Sequence, residues 1–467
     1  MNFTSLPFFV FLPVVLLLHY LLPHRYRYLL LLVASYFFYA YLNPWLLALI
    51  VSTTLLTYLC ALGMEKYPKK RVLFLIISII FTLGLLFVFK YLDFTLSLFV
   101  HAGLSISFYP LNLILPVGIS FYTFQTLAYV IDVYKGKTKA EHHILYYALF
   151  ISFFPQLVAG PIEKKDNLLP QLRAERNMDL DKFGEGLRYF VIGFVKKVII
   201  ADFLAVYVNQ VYADLSLFSG FEILLSTFSF GIVIYCDFSG YCDIALGIAK
   251  WLGVDLSKNF DRPYLSSSLK EFWNRWHITL NDFFTEYIYI PLGGSKKGRV
   301  RKYLNILIVF FISGLWHGAS LHFILWGLAH GLLLIIEDLL YAPISKIKLE
   351  DGAKRVIGIV VTYILVNLAW GLFRAQSLND IAIIYSKIFA SFIPAFDLSF
   401  FTPEAIIIAI LGIALLIYLP YLPKIKRGEK QNYAYISMYA LLILIVGLGY
   451  FNNMTSGGES SFIYFQF

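Results

Sequence analysis

Long apolar runs without charge constrain this chain more than any other feature of its sequence. The run VLFLIISIIFTLGLLFVF at 72–89 is 18 residues long, and about 20 apolar residues in a helix cross the hydrocarbon core of a bilayer. Apolar residues make up 59% of the chain and charged residues only 14%, a composition that excludes a soluble globular protein. The sequence therefore predicts an all-α polytopic membrane protein.

The basic residues lie in short clusters between the apolar runs, although a net charge of +9 would suit a nucleic-acid partner in a soluble protein. Lys and Arg are enriched in the cytoplasmic loops of membrane proteins, and one topology puts every cluster on that side with the amino terminus outside. We therefore expect no nucleic-acid partner and a lipid bilayer around the protein. The clusters are His24–Arg27, Lys66–Arg71, Lys135–Lys139, Lys164–Lys182, Lys296–Lys302, Lys346–Arg355 and Lys424–Lys430.

Counting the apolar segments predicts about ten to twelve transmembrane helices plus re-entrant and interfacial helices, in a single membrane domain over residues 1–467. The first span, 3–22, follows no basic residues, which favours a retained helix over a cleaved signal peptide. Residues 144–160 lie between two basic loops, so they are predicted to dip in and return or to lie along the interface. The other spans are predicted near 28–42, 45–64, 72–100, 108–131, 190–212, 221–250, 303–337 (a hairpin), 356–373, 404–422 and 433–452.

The stretch 254–337 concentrates the unusual features of the chain and is predicted to be its catalytic part. The apolar hairpin 303–337 offers 35 residues for two passes and the turn GLWHGAS, whereas one full crossing needs about 20. Its tip, with Trp316 and His317, is therefore predicted to stop inside the bilayer. An ionisable residue within the membrane is a functional-site hypothesis by default, so His317 is the first candidate for chemistry.

Residues 269–288 are predicted to form one amphipathic helix along the cytoplasmic interface. Ser268 and Glu271 have the spacing of a capping box, and Pro291 ends the segment. His277 lies on the flank of the apolar face, where it points into a cavity or extends toward water. The apolar face comprises Leu269, Phe272, Trp273, Trp276, Leu280, Phe283, Phe284 and Tyr287, and the polar face comprises Glu271, Arg275, Asp282 and Glu286.

Polar side chains interrupt three other apolar segments. Gln125 and Asp132 lie in 116–132, Pro and Gly break 153–162, and Asp237 and Asp243 lie in 235–247. Such residues often join helices by hydrogen bonds, but three such clusters together with His317 favour a lined tunnel or cavity. The three cysteines, Cys60, Cys236 and Cys242, are predicted to be structural thiols, and no metal site is expected.

Six motifs in order resemble the membrane-bound O-acyltransferase family, in the bacterial polysaccharide branch that includes alginate and peptidoglycan O-acetyltransferases. The resemblance implies the family's fold, with helices around a central tunnel. Cys242 departs from it, since a small residue such as Ser is expected there. The motifs are FYTFQTLAYVIDVYKG (121–136), FPQLVAGPI (154–162), DFSGYCDIALG (237–247), NFDRPYLSSSLKEFWNRWHITLNDFFTEYIYIPLGG (259–294), GLWHGASLHFILWGLAHG (314–331) and LAWGLFRAQSL (368–378).

The resemblance also implies the reaction. An acyl group, expected to be acetyl from acetyl-CoA on the cytoplasmic side, would pass through the bacterial cytoplasmic (inner) membrane to an extracytoplasmic acetyltransferase partner that esterifies a polysaccharide, with no bound cofactor. His317 matches the family's catalytic histidine and His277 its second histidine. The expected substrate-binding residues are Trp316, Asn274, Arg275, Trp273, Gln125 and Asp243.

Alternatives remain from the sequence alone. D-alanyl transfer to teichoic acid shares the WNRWH segment and the WHG turn. A polysaccharide or small-molecule transporter would use the polar clusters as a path, but many transporters contain inverted repeats, and this chain concentrates its unusual elements in one stretch. His317 by itself also fits a buried histidine bonded to a carbonyl. The basic residues at 296–302 either attract a phosphate-bearing donor or only anchor the interface.

Overall fold

The structure, a computed structural model, describes residues 1–41, 43–103, 110, 111, 113–345, 350–390 and 392. These residues form helices and an isolated antiparallel bridge between Phe260 and Trp276, which confirms the all-α prediction. The helices are α1 (Leu6–Leu21), α2 (His24–Ala40), α3 (Leu46–Lys66), α4 (Arg71–Leu86), α5 (Leu92–His101), α6 (Ile119–Tyr134), α7 (Ile144–Ser152), α8 (Lys165–Arg173), α9 (Leu180–Phe194), α10 (Asp202–Ala213), α11 (Gly220–Trp251), α12 (Leu269–Arg275), α13 (Ile278–Phe284), α14 (Arg299–His317), α15 (Leu321–Ser345), α16 (Asp351–Arg374) and α17 (Leu378–Phe389).

Among the described residues, five helical segments are long and apolar enough to cross a membrane. The number of passes stays a prediction, since the spans expected near 404–422 and 433–452 lie outside the described residues, and the central tunnel stays one too. The five segments are Leu46–Lys66, Pro68–Val100, Gly220–Trp251, Leu321–Pro343 and Asp351–Arg374.

The described residues divide into two compact units. Unit 1 contains residues 1–194 and 241–257, and unit 2 contains 195–240 and 258–392 with the gaps given above. In unit 1, the predicted partial crossing 144–160 is α7 followed by buried turns over 153–160. The span predicted at 108–131 is wrong at its start, because α6 begins only at Ile119, after Pro116 and the left-handed Gly118.

The hairpin predicted at 303–337 exists in unit 2, with its turn at the expected residues, but its length is wrong. Helix α14 has 19 residues and α15 has 25, because the first arm begins inside the basic cluster and the second continues past Glu337. The arms are therefore not too short to cross the bilayer, in contrast to what the sequence suggested. The depth of the tip in the membrane stays a prediction.

Two glycines let the arms of this hairpin approach closely. A Cβ added at Gly314 would lie 2.3 Å from the carbonyl oxygen of Phe323, and one added at Gly327 would lie 2.1 Å from that of Phe310. Small residues at helix contacts permit this backbone approach in membranes. The turn that carries His317 is thus held between two tightly packed helices.

A buried ion cluster joins three helical segments of unit 2. Lys197, in the π-helical segment Val195–Ala201, is 1% exposed. Its Nζ lies 2.7 Å from Asp202 and 2.6 Å from Asp237 of α11. Asp237 therefore acts as a contact between helices, one of the two roles that the sequence left open.

We expect Lys197→Met to destabilise the protein strongly, because it leaves two buried carboxylates without their cation. Removing one partner of a buried pair costs about 3–5 kcal/mol. Thermal unfolding of the detergent-solubilised protein measures the loss. The matched control is Lys196→Met at the adjacent, half-buried lysine, and equal melting temperatures for the two variants would contradict the expectation.

Candidate active site

His317 is the last residue of α14 and is 5% exposed. Its ring lies among aromatic side chains of unit 2, with centroid distances of 4.8 Å to Trp316, 4.9 Å to Trp326 and 5.3 Å to Phe373. The helix ends here because Gly318 adopts an extended conformation. A Cβ at Gly318 would lie 2.1 Å from the ring of Phe323, so the turn requires glycine at this position.

His277 lies at a break in the segment that the sequence predicted as one helix over 269–288. Helix α12 ends at Arg275 and α13 begins at Ile278. Between them His277 has φ +46°, a left-handed conformation that is uncommon for residues other than glycine. The predicted apolar face is buried except for Tyr287, which is half-buried. The prediction of a single helix is wrong, because the hydrophobic period continues across the break and no Pro or Gly marks it.

The break brings His277 to the same aromatic ring as His317. The imidazole of His277 lies 5.8 Å from Trp316 and 4.7 Å from Phe238 of α11, between centroids. It is 2% exposed. The structure thus places His277, Trp316 and His317, three of the predicted site residues, in one buried cluster.

Asn259 holds the break, and sequence reasoning missed it. Its carbonyl oxygen accepts from the backbone N–H of Ile278 at 2.9 Å. Its side-chain oxygen accepts from Thr279, at 3.2 Å from the backbone nitrogen and 2.7 Å from the hydroxyl. Asn259 is 1% exposed. In the sequence, only its place as the first residue of the family motif 259–294 pointed to it.

The beginning of α12 is fixed by two caps. The Ser268 hydroxyl accepts from the Glu271 N–H, as the capping box predicts, but the Glu271 carboxylate accepts from Ser267 and not from Ser268. The Glu337 carboxylate of α15 accepts from the backbone N–H groups of Leu269 and Lys270 at 2.6 and 3.0 Å. A carboxylate at a helix amino terminus is favourable, and this one joins α12 to the hairpin.

Burial sets the protonation of His277. Removal from water lowers the pKa of this imidazole to about 3, because a buried ring disfavours the charged form. At neutral pH the ring is therefore uncharged, with one nitrogen able to donate a hydrogen bond and the other able to accept one. A neutral imidazole is the form that a general base requires.

The other predicted site residues lie in different surroundings. Trp273 is buried in unit 2, Asn274 is exposed, and Arg275 pairs with Glu271 at 2.7 Å. In unit 1, the Gln125 amide donates to the Phe150 carbonyl at 2.7 Å, and Asp243 is half-buried.

The departure at Cys242 is accommodated within unit 1. The Cys242 thiol donates to the Ala159 carbonyl at 3.7 Å. Among the described residues there is no group of three His, Cys, Asp or Glu side chains that could hold a metal ion.

Apolar helices long enough to cross a membrane and a buried pair of histidines define a multi-pass membrane protein with a buried polar site. The family model of membrane-bound O-acyltransferases matches residues 33–373. The chain therefore belongs to the membrane-bound O-acyltransferase family, and it is an O-acyltransferase.

Named relatives agree with this assignment. A Pseudomonas aeruginosa protein named "Probable alginate O-acetylase AlgI" is 38% identical over 393 residues, covering 82% of this chain and 73% of the relative. A Helicobacter pylori peptidoglycan O-acetyltransferase is 37% identical over 410 residues, covering 81% and 77%. The teichoic acid D-alanyltransferase of Bacillus subtilis is 26% identical over 281 residues, covering 57% and 70%.

We expect Asn259→Ala to lower the acyl-transfer rate at least tenfold. The substitution removes the buried acceptor that the N–H and hydroxyl of Thr279 share in Asn259. Losing such a bond at a buried group costs about 1–3 kcal/mol, so the break at His277 shifts. Acyl-transfer kinetics and melting temperature together measure the effect.

The matched control for this variant is Asp261→Ala. Asp261 is two residues away, its side chain is 57% exposed, and its backbone bond to the Arg275 carbonyl is kept. A wild-type rate in Asn259→Ala would show that the break tolerates the loss of its side-chain support.

Proposed function

We propose that the protein takes an acetyl group from acetyl-CoA on the cytoplasmic side and passes it across the membrane for O-acetylation of an extracytoplasmic polysaccharide. The observation that carries the proposal is the position of His277 and His317 against the same buried ring, Trp316. A separate extracytoplasmic acetyltransferase would receive the group and esterify the polymer, such as alginate or peptidoglycan.

In this proposal His317 is the general base. The acceptor's hydroxyl is a weak nucleophile near neutral pH. The His317 imidazole therefore takes the proton of this hydroxyl as its oxygen attacks the thioester carbonyl of acetyl-CoA. The new C–O bond forms, the C–S bond breaks, and the proton passes to the leaving thiolate. His277, neutral because it is buried, would hold the hydroxyl or the leaving sulfur by hydrogen bonding, and Trp316 would keep the two rings in place.

Acetyl transfer is favoured over D-alanyl transfer by the relatives. Proteins named for alginate and peptidoglycan O-acetylation match over four fifths of the chain at 37–39% identity. Those named for teichoic acid D-alanylation match 57% of it at 26–27%. The shared WNRWH and WHG motifs fit both reactions, so they support acyl transfer without choosing the acyl group.

The proposed orientation follows from the basic loops. We infer the bacterial cytoplasmic membrane, with the amino terminus outside and the loops Lys66–Arg71 and Lys296–Lys302 facing the cytoplasm. The donor does not cross the bilayer and the acceptor lies outside, so the site must be reachable from both faces. Cysteine labelling of these loops from outside intact cells would contradict the orientation.

We expect His317→Ala to abolish acyl transfer while the protein still inserts and folds, because it removes the base and little buried area. Polymer acetylation in cells and the rate with acetyl-CoA in detergent measure the loss. His142→Ala, at an exposed histidine, is the control. Acetylation near the wild-type level in His317→Ala would exclude the proposed role.

We also expect the exposed cations of the 296–302 cluster to attract the donor. Lys302 pairs with Asp338 at 2.6 Å, and Arg301 donates to the Leu292 carbonyl. Lys296, Lys297 and Arg299 are exposed, so their charge can act on the phosphates of coenzyme A.

Replacing Lys296, Lys297 and Arg299 by Gln should raise the KM for acetyl-CoA and weaken its salt dependence. Screening by salt suppresses such long-range attraction, so the wild type and the variant should converge at high ionic strength. Replacing Lys66, Lys69 and Lys70 by Gln, another exposed basic cluster, is the control. An unchanged KM at low salt would leave the cluster as a topology signal only.

A further inference from the structure

Three buried rings form a cluster next to His317 in unit 2. The imidazole of His330 lies 5.0 Å from Trp273 and 5.1 Å from Trp326, between centroids, and the two indoles are 5.9 Å apart. His330 and Trp326 are 0% exposed and Trp273 is 9% exposed. Trp326 also contacts His317 at 4.9 Å, so the cluster begins where the candidate active site ends.

The polar atoms of this cluster have no protein partner. Both ring nitrogens of His330 and the indole nitrogens of Trp273 and Trp326 are buried, without a hydrogen-bond partner among the residues that the structure describes. Buried polar groups are nearly always bonded to protein or to ordered water. Leaving one unsatisfied costs about 1–3 kcal/mol, and here four such atoms belong to three touching rings.

We propose that Trp273, Trp326 and His330 form a pocket that binds an oxygen atom. An indole N–H only donates, and a neutral imidazole donates once and accepts once. The cluster therefore offers three donors and one acceptor, which suits an acceptor oxygen. The oxygen belongs to an internal water or to the carbonyl of the acyl donor, and the second source rests on the proposed function.

The position of the pocket gives the oxygen a role in either case. Trp273 is on α12, which leads to His277, and Trp326 and His330 are on α15, which begins after His317. An internal water would fix the two helices in register, since such waters commonly make about three hydrogen bonds. A donor carbonyl would find hydrogen-bond donors where negative charge develops during attack by the acceptor.

The test is His330→Phe, which keeps a ring and removes both nitrogens. The measurements are the melting temperature in detergent without and with acetyl-CoA, and kcat/KM for acetyl-CoA. His19→Phe is the control for placing a phenyl ring at a buried histidine, since His19 is 5% exposed in unit 1. His330→Gln restores one donor and one acceptor.

If the pocket holds water, His330→Phe should melt several degrees lower than the wild type and lower than His19→Phe, with the stabilisation by acetyl-CoA unchanged. If it holds the donor carbonyl, the melting temperature without acetyl-CoA should stay or rise. The stabilisation by acetyl-CoA should then shrink, and kcat/KM should fall at least tenfold. In both cases His330→Gln should recover part of the loss.

Two results would overturn the pocket. One is that His330→Phe melts at or above the temperature of the wild type, with unchanged stabilisation by acetyl-CoA and unchanged kcat/KM. An apolar ring stabilises the protein if it replaces an imidazole that has no bound oxygen. The other is a loss that His330→Gln does not reduce, which assigns the effect to ring packing. If the wild-type protein itself fails to use acetyl-CoA, the proposed function fails, and the melting comparison without acetyl-CoA still tests the water.

Discussion

Backbone hydrogen bonding is the constraint on which this structure depends. In hydrocarbon every backbone N–H and C=O must be satisfied within the protein, which favours uninterrupted helices. A departure from the helix is therefore stable only where other groups bond to the exposed backbone. The break between α12 and α13 is buried in the protein, where backbone groups also need partners. Asn259 supplies them, because its carbonyl and side chain accept hydrogen bonds from the N–H groups of Ile278 and Thr279. The position of His277 follows from that support.

The sequence predicted the class of fold because hydrophobic length is a strong signal. Apolar runs, basic loops and the glycine-containing turn after His317 each have a physical meaning that a single sequence displays. The hairpin arms were underestimated because helices continue beyond their apolar residues, into the basic cluster before Tyr303 and past Glu337. The start of α6 was misplaced because two prolines interrupt the chain inside an apolar run.

The candidate site was only partly predictable. The motifs identified His277, Trp316 and His317, and the structure brings these three together around one ring. The break at His277 left no trace in the hydrophobic period, because the buried face continues through it. Asn259 was missed since its role depends on an antiparallel pairing with residues about twenty positions later, which no local pattern encodes. His330 was missed because its ring partners come from several helices, which no local pattern encodes.

Glu337 has a mechanical consequence for the site. It lies twenty residues after His317, on α15. Its carboxylate accepts hydrogen bonds from the first backbone N–H groups of α12. The segment that leads to His277 thus contacts the hairpin along its length, at its beginning through this carboxylate, then through the Trp273 ring, and at its end through the Trp316 ring. Separated contacts form a closed linkage, in which neither element can pivot about one contact without straining the others. The two histidines therefore keep their spacing. Any opening for substrates has to come from parts of the protein outside α12 and the hairpin.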